Sequence, residues 1–261
     1  MKNSKELIQQ RQSRIVQHLR QKQLASVTEL AQRFHVTPAT IRRDLEALEE
    51  QGCLKRFFGG VEYILPQNEY VQYQVDRPDT LAAKTAIAKR AAQMIKNGDM
   101  VFLNSSSTTQ FILDHMDNLQ AGVITNNPRA IDNTVPEYVD LILTGGEIYG
   151  NKQSLVGEFA QDTIRKVVAS ICFLGVSGIS EAGTTNSTVQ EVAVNRCMIA
   201  QTAGPKVVVA DGTKIGVRQY FMDFSLDMIT HLITDTSADP RELDRIRAKG
   251  VEVIVVNPKQ K

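Results

Sequence analysis

The sequence predicts an α/β protein in two parts: a small helical head and a larger domain built on a mostly parallel sheet. Two observations carry this. Within residues 26–52, a capped short helix, a turn and a proline-started helix follow one another. Beyond residue 100, seven apolar segments of strand length recur, several of them separated by helical patterns. A length of 261 residues suits one large domain or two smaller ones. The 42% apolar and 23% charged fractions are those of a globular chain. No apolar run approaches the ~20 residues that span a bilayer. The N-terminus, MKNSKELIQQRQ, carries no signal-peptide pattern, so a cytoplasmic protein without a membrane partner is expected. Cys53, Cys172 and Cys197 lack metal-ligand spacing and read as reduced packing thiols, with no metal and no cofactor expected.

The head comes first. Residues 5–22 space Leu7, Ile8, Ile15, Val16 and Leu19 as an amphipathic helix that Ser4 can cap, with His18 on its surface. Ser26 and Glu29 stand in capping-box spacing, so a second helix is predicted from about Val27 to Phe34. His35-Val36 makes the turn. Thr37 caps a third helix with Pro38 at its first position, Ile41, Leu45 and Leu48 form its buried stripe, and Gly52 ends it. This is a helix-turn-helix whose recognition helix turns Thr37, Ala39, Thr40, Arg42 and Arg43 outward, toward a DNA major groove. CLKRFFGGVEYI then reads as two strands around Gly59-Gly60, a wing on which Lys55 and Arg56 reach phosphates. Residues 1–60 hold eleven Lys/Arg against six Asp/Glu, the sign a polyanion partner requires. The plainer alternative for Arg42 and Arg43 is a solvated face paired with Glu46; the ordered succession of cap, turn, helix and wing argues against it.

Residues 65–79, with Pro66 and Pro78, read as a linker between a DNA-binding domain at 1–64 and a second domain at 80–261. In that domain strands are predicted at 100–103, 122–125, 139–144, 170–176, 206–210, 231–234 and 251–256, and helices at 85–95, 107–116, 187–203 and 240–250. Strands alternating with helices make a parallel sheet covered on both faces.

Five of these strands run into polar or glycine-rich clusters: Asn104 to Thr109, Asn126-Asn127, Gly145-Gly146-Glu147, Gly175 to Gly178 and Asp211 to Lys214. Parallel strands place them all at one sheet edge, where open α/β sheets bind ligands. Ser105, Ser106, Ser107, Thr108 and Thr109 lie between a strand end and a helix start, so free amides and small hydroxyls suit an anion, a phosphate before a carboxylate. Lys214 supplies a cation, Asp211 an acceptor for sugar hydroxyls, and Gly145-Gly146 close backbone approach. Thr188 and Glu191 have capping-box spacing, which favours a structural role for that acid. Glu181 has no assigned partner.

SVTELAQRFHVTPATIRRDLEALEEQG and the RFFGGV that follows closely resemble the N-terminal domain of the DeoR family of bacterial transcriptional regulators, through Arg42-Arg43-Asp44-Leu45 and Gly59-Gly60. LTGGEI, SLVGEFA, FLGVSGISEAGTT and VVVADGTKIG look like that family's sensor domain. The resemblance implies a winged helix-turn-helix followed by a sensor similar to ribose-5-phosphate isomerase. It implies a pocket for a phosphorylated sugar or polyol lined by Ser105 to Thr109, Asn126, Gly145, Gly146, Asp211 and Lys214. Where the family commonly has Asp, this chain has Asn104, which points to a different effector preference. The family's Ser-Lys-Phe is here Thr213-Lys214-Ile215.

The expected function is a sugar-phosphate-responsive regulator, more commonly a repressor in this family, that binds double-stranded operator DNA as a dimer or tetramer. The helix at 187–203, with Val192, Met198 and Ile199, is one candidate association surface. The competing readings are a sugar-phosphate isomerase with a DNA-binding appendage, and a ligand-free architectural protein. The first requires a carboxylate base beside the substrate, and no carboxylate has a clear claim to that place.

Overall fold

The computed structural model describes residues 11–12, 15, 18–19, 24–50, 54–57, 60–63, 78–132, 135–149 and 154–259. The chain divides into two compact units, Met1–Val75 and Asp76–Lys261.

In the first unit, helical residues Arg11, Gln12, Ile15, His18 and Leu19 are followed by β1 (Leu24–Ser26), α1 (Val27–Phe34), α2 (Pro38–Glu50), β2 (Leu54–Phe57) and β3 (Gly60–Tyr63). Ser26 accepts the Glu29 amide at 3.1 Å, as its spacing predicted. His35 closes α1 in the left-handed region at φ 53°, which turns the chain into α2. Thr37 accepts the Thr40 amide at 3.2 Å and so caps α2. Ile15, Leu19, Leu30, Ile41, Leu45, Leu48, Leu54 and Val61 form one buried cluster. β2 and β3 pair antiparallel with Phe57 opposite Gly60. The sequence did not reveal β1, which pairs with the far edge of β3. A Cβ on Gly60 would lie 2.9 Å from the Ala25 carbonyl, so this glycine lets β1 approach. His18 is buried rather than on the helix surface, with its ring edge-on to Phe34 at 6.4 Å. Ser4, Gly52, Cys53, Gly59 and most of the expected linker lie outside the described residues.

The second unit opens with α3 (Pro78–Ala92), which begins earlier than the predicted helix. Then come β4 (Met100–Leu103), α4 (Ser107–Gln110), β5 (Ala121–Thr125), β6 (Val139–Leu143), β7 (Glu147–Tyr149), β8 (Ser154–Val156), α5 (Glu158–Arg165) and β9 (Ile171–Gly175). β10 (Gly178–Ser180), β11 (Gly183–Asn186), α6 (Val189–Ala200), β12 (Lys206–Val209), β13 (Phe221–Met222), β14 (His231–Asp235), α7 (Pro240–Arg247) and β15 (Glu252–Val256) complete it. The seven predicted strands form one sheet in the order β15-β14-β12-β9-β4-β5-β6, every neighbouring pair parallel. Strand order reverses between β4 and β9. Two apolar clusters cover its faces, one built with α3 and the other with α5, α6 and α7. The hairpin β7-β8, the small sheet β10-β11-β13 and α5 went unread, being two to four residues per strand and eight for the helix.

The helix expected at 107–116 is one turn at Ser107–Gln110 and a 3-10 turn at Leu113–His115. Val192, Met198 and Ile199 are at most 5% exposed, the last two inside the main core cluster, so they offer no association surface. Cys172 is buried and Cys197 half-buried, both free. Burial pushes the Cys172 thiol up to about 11, which keeps it protonated and inert.

Candidate functional site

In the head, α2 exposes Thr37, Ala39, Arg42 and Arg43, with Thr40 half-buried. Thr37 and Thr40 share a hydroxyl contact of 2.9 Å as well as the cap, so both hydroxyls shape the helix start. Asp44, inside the Arg-Arg-Asp-Leu motif, faces inward. It takes a two-pronged hydrogen bond from Arg11, Nε to Oδ2 at 2.6 Å and Nη2 to Oδ1 at 3.1 Å. That contact raises the Arg11 pKa and locks the first helix to the recognition helix. The motif therefore splits by face: two arginines outward, one carboxylate holding them in place. Lys55 and Arg56 lie on β2, and their side chains lie outside the described residues.

In the second unit the five clusters follow β12, β9, β4, β5 and β6, five adjacent strands of the sheet. Strands sit about 4.8 Å apart, so the outermost two lie roughly 10 Å either side of β4. That is the reach of one small phosphorylated ligand with the help of a lysine side chain. The hydroxyl loop sits at the switch point itself.

The loop is built in layers. Asn104 is buried; its amide donates to the Gly175 carbonyl at 2.8 Å and accepts the Gly175 amide at 2.9 Å. Ser106 accepts the Thr109 amide at 3.1 Å, and the Thr109 hydroxyl donates to the Asn104 carbonyl at 2.7 Å. Thr108 is 5% and Thr109 0% exposed. Ser105 and Ser107 remain half-exposed, and the Ser107 and Thr108 amides donate to no acceptor among the described residues. The one-turn α4 contributes little dipole; local amides and the outer hydroxyls are what the loop offers an anion.

Around it, Asn126 donates to Ser105 Oγ at 3.3 Å and to the Leu155 carbonyl at 3.1 Å, while its buried Oδ1 has no partner among the described residues. Gly145 and Gly146 have φ of 67° and 113°, and a Cβ on Gly146 would strike the Val156 carbonyl at 2.4 Å. Asp211 is 4% exposed and accepts the Thr213 amide at 3.0 Å and its hydroxyl. Through this one oxygen, Oδ1, it caps the turn Gly212–Lys214. Lys214 is half-buried on that turn. Structural contacts thus join Asn104 to Thr109, Asn126 and the end of β9, with Gly146 reached through β8. Lys214 is placed by strand order.

A further polar group brings Ser177 and Glu191, both noted in the sequence, together with Asn186, Asn195 and Asp223, which the sequence reading missed. Ser177 donates to Asn186 at 3.0 Å, Thr188 to Glu191 at 2.7 Å, and Asn195 to Asp223 at 2.7 Å. Thr188 starts α6 without capping it through its side chain; its hydroxyl binds the Glu191 carboxylate instead. Glu191 and Asn195, four apart in the otherwise apolar VQEVAVNRCMIA, were the available signal. Burial pushes the Asp223 carboxyl up to about 7, against the hydrogen bond from Asn195 and the charge of Arg196. Glu181 is exposed at the two-residue tip between β10 and β11.

Residues 11–67 match the family described as "DeoR-like helix-turn-helix domain", and residues 79–236 that described as "DeoR C terminal sensor domain". The chain is 30% identical over 252 residues to the uncharacterized HTH-type transcriptional regulator YulB of Bacillus subtilis (strain 168), covering 96% of this chain and 97% of that protein. It is 28% identical to the lactose phosphotransferase system repressor of Streptococcus mutans, over 82% of this chain and 87% of that one. Among solved structures, ribose 5-phosphate isomerase A from Neisseria gonorrhoeae aligns with a TM-score of 0.35 and 11% identity, over 50% of this chain and 52% of that one.

Proposed function

The chain belongs to the DeoR family of transcriptional regulators, and on that premise we propose that a phosphorylated sugar or polyol, bound at the C-terminal edge of the seven-stranded sheet, sets the affinity of the head for operator DNA. The protein is a DNA-binding regulator with an effector-sensing domain, not an enzyme. The observation that carries the effector reading is the hydroxyl loop at the point where strand order reverses, with amides at Ser107 and Thr108 that have no acceptor among the described residues. Ser105, Ser107, those amides, Asn126 and the Gly145-Gly146 backbone contact the ligand, and Lys214 neutralises its phosphate. Asn104, Ser106, Thr109 and Asp211 keep the loops in shape.

On the DNA side, Ala39, Arg42 and Arg43 read the groove, Thr37 and Thr40 present the helix end, and Lys55 and Arg56 meet phosphates. Repression of a carbohydrate operon is the mode this reading favours, in a homo-oligomer that is at least dimeric and cytoplasmic. The name of the lactose-system relative supports a carbohydrate effector. An effector acts here only by binding one state of the protein more tightly than the other.

The test is a thermal-shift screen of the full chain against ribose 5-phosphate, glucose 6-phosphate, galactose 6-phosphate and glycerol 3-phosphate, with their unphosphorylated counterparts as controls. A stabilising shift from at least one phosphorylated compound, lost in Lys214→Ala with DNA binding retained, is the expected result. A flat screen would sink the reading.

A further inference from the structure

A line of buried amides runs from the hydroxyl loop to the end of β13. Asn104 donates through Nδ2 to the Gly175 carbonyl at 2.8 Å and to Asn195 Oδ1 at 3.0 Å. Asn195 passes the bond on, donating through its own Nδ2 to Asp223 Oδ2 at 2.7 Å. The three side chains are 4%, 1% and 0% exposed. An amide donates at one end and accepts at the other, so the line has a direction. Asn104 uses both Nδ2 hydrogens, Asn195 must turn its carbonyl toward Asn104, and Asp223 Oδ2 ends the line as an acceptor. The second carboxylate oxygen, Asp223 Oδ1, has no partner among the described residues.

We propose that Asn195 is a positioning residue of the effector site: it holds Asn104 against the end of β9 and thereby sets the shape of the loop from Ser105 to Thr109. The effector part of this rests on the reading given under Proposed function.

Three observations support it. A Cβ on Gly175 would fall 2.1 Å from Ser106 Oγ, so the loop sits directly on the end of β9, the same residue that Asn104 holds. The Asn104 carbonyl receives the Thr109 hydroxyl, so the same residue anchors both ends of the loop. The far end of the line is itself held, since Arg196 donates to the Asp223 and Met222 carbonyls at 2.5 and 3.0 Å. The charged and polar groups around the Asp223 carboxyl are Arg196, Asn186, Asn195 and Glu191. Burial raises its pKa most, with Glu191 adding to the rise and the other three opposing it.

Reversing the polarity of the line tests the proposal. Asn195→Asp still accepts from Asn104 but removes the amide donor between positions 195 and 223. The two carboxyl groups left can hold each other only by keeping a proton, so the variants are compared at about pH 8 and above, where wild-type Asp223 has released its own. In the double variant Asn195→Asp/Asp223→Asn, the new Asn donates to the new Asp and the line closes again with its last bond reversed. Hydrogen exchange of the full chain, read over residues 104–109, needs no ligand. Asn195→Asp should exchange there about tenfold faster and melt about 3–6 °C lower. The double variant should recover most of both, while Asn195→Leu should not be recovered by Asp223→Asn. The stabilising shift by whichever phosphorylated compound moves the wild type most should fall and return in parallel. Unchanged exchange at 104–109 in Asn195→Asp, or a double variant no better than the single one, would overturn the proposal. So would recovery of melting temperature without recovery of loop protection, which would leave Asn195 a packing residue. If no compound shifts the wild type, the effector reading fails, and the exchange data still decide the role of Asn195.

Discussion

Arg42 and Asp44 stand two apart and do opposite work, because an α2 turn sends one to solvent and the other to Arg11. If Arg42 reads a base, Arg42→Ala should lose about 1–3 kcal/mol on the operator in a titration at fixed salt, with the sensor's melting unchanged. An unaltered affinity would remove it from the recognition set. Asp223 makes a second residue-scale prediction. Its carboxyl, ordinarily near 3.8, is raised to about 7 in the folded chain, chiefly by burial. The folded state therefore holds a proton that the unfolded chain has released, and stability falls as pH rises from about 4 to about 7, then levels off. The fall should be on the order of 3–4 kcal/mol, and Asp223→Asn should abolish it in urea titrations of the full chain between pH 5 and 8. A slope that survives the substitution would assign it to another group.

At the scale of elements, the hydroxyl loop can sit on β9 only because that strand ends in a glycine. Any side chain at Gly175 would collide with Ser106, whose Oγ lies 2.1 Å from the place a Cβ would take. Gly175→Ala should therefore lift the loop off the sheet, melt the sensor several degrees lower, and abolish stabilisation by phosphorylated compounds while the head still binds DNA. A fully responsive Gly175→Ala would show that the loop's seat is not part of the site. The loop helix also shows where dipole arguments stop. The one-turn α4 has too few aligned peptides to act as a macrodipole; what it offers is two local amides, Ser107 and Thr108, that donate to no acceptor among the described residues. β7, β8 and α5 matter for a different reason: Leu155 exchanges two hydrogen bonds with Asn126, so the short hairpin fixes the rim beside the hydroxyl loop.

For the whole molecule, a helix-turn-helix that reads a two-fold operator needs two heads about 34 Å apart, or a multiple of that distance. The solution mass by light scattering should be at least twice 29.0 kDa. A monomer at operator-binding concentrations would overturn the paired half-site reading. Should copies associate, the face of α6 carrying Val192, Met198 and Ile199 is not the joining surface, because all three side chains are buried within the chain.

What the sequence determined by itself were the features written in local chemistry: the Ser26 and Thr37 caps, the His35 turn, the seven strands and the clusters behind them. Caps and turns are set by contacts three or four residues apart, and buried parallel strands show as unbroken apolar runs. Only the tertiary structure decided which polar groups are buried in the frame and which stay open at the sheet edge. Asn104 meets Gly175 and Asn195 across 71 and 91 residues, and Asp44 meets Arg11 across 33. A buried side chain takes its role from partners that folding brings to it, and no local pattern encodes where those partners arrive.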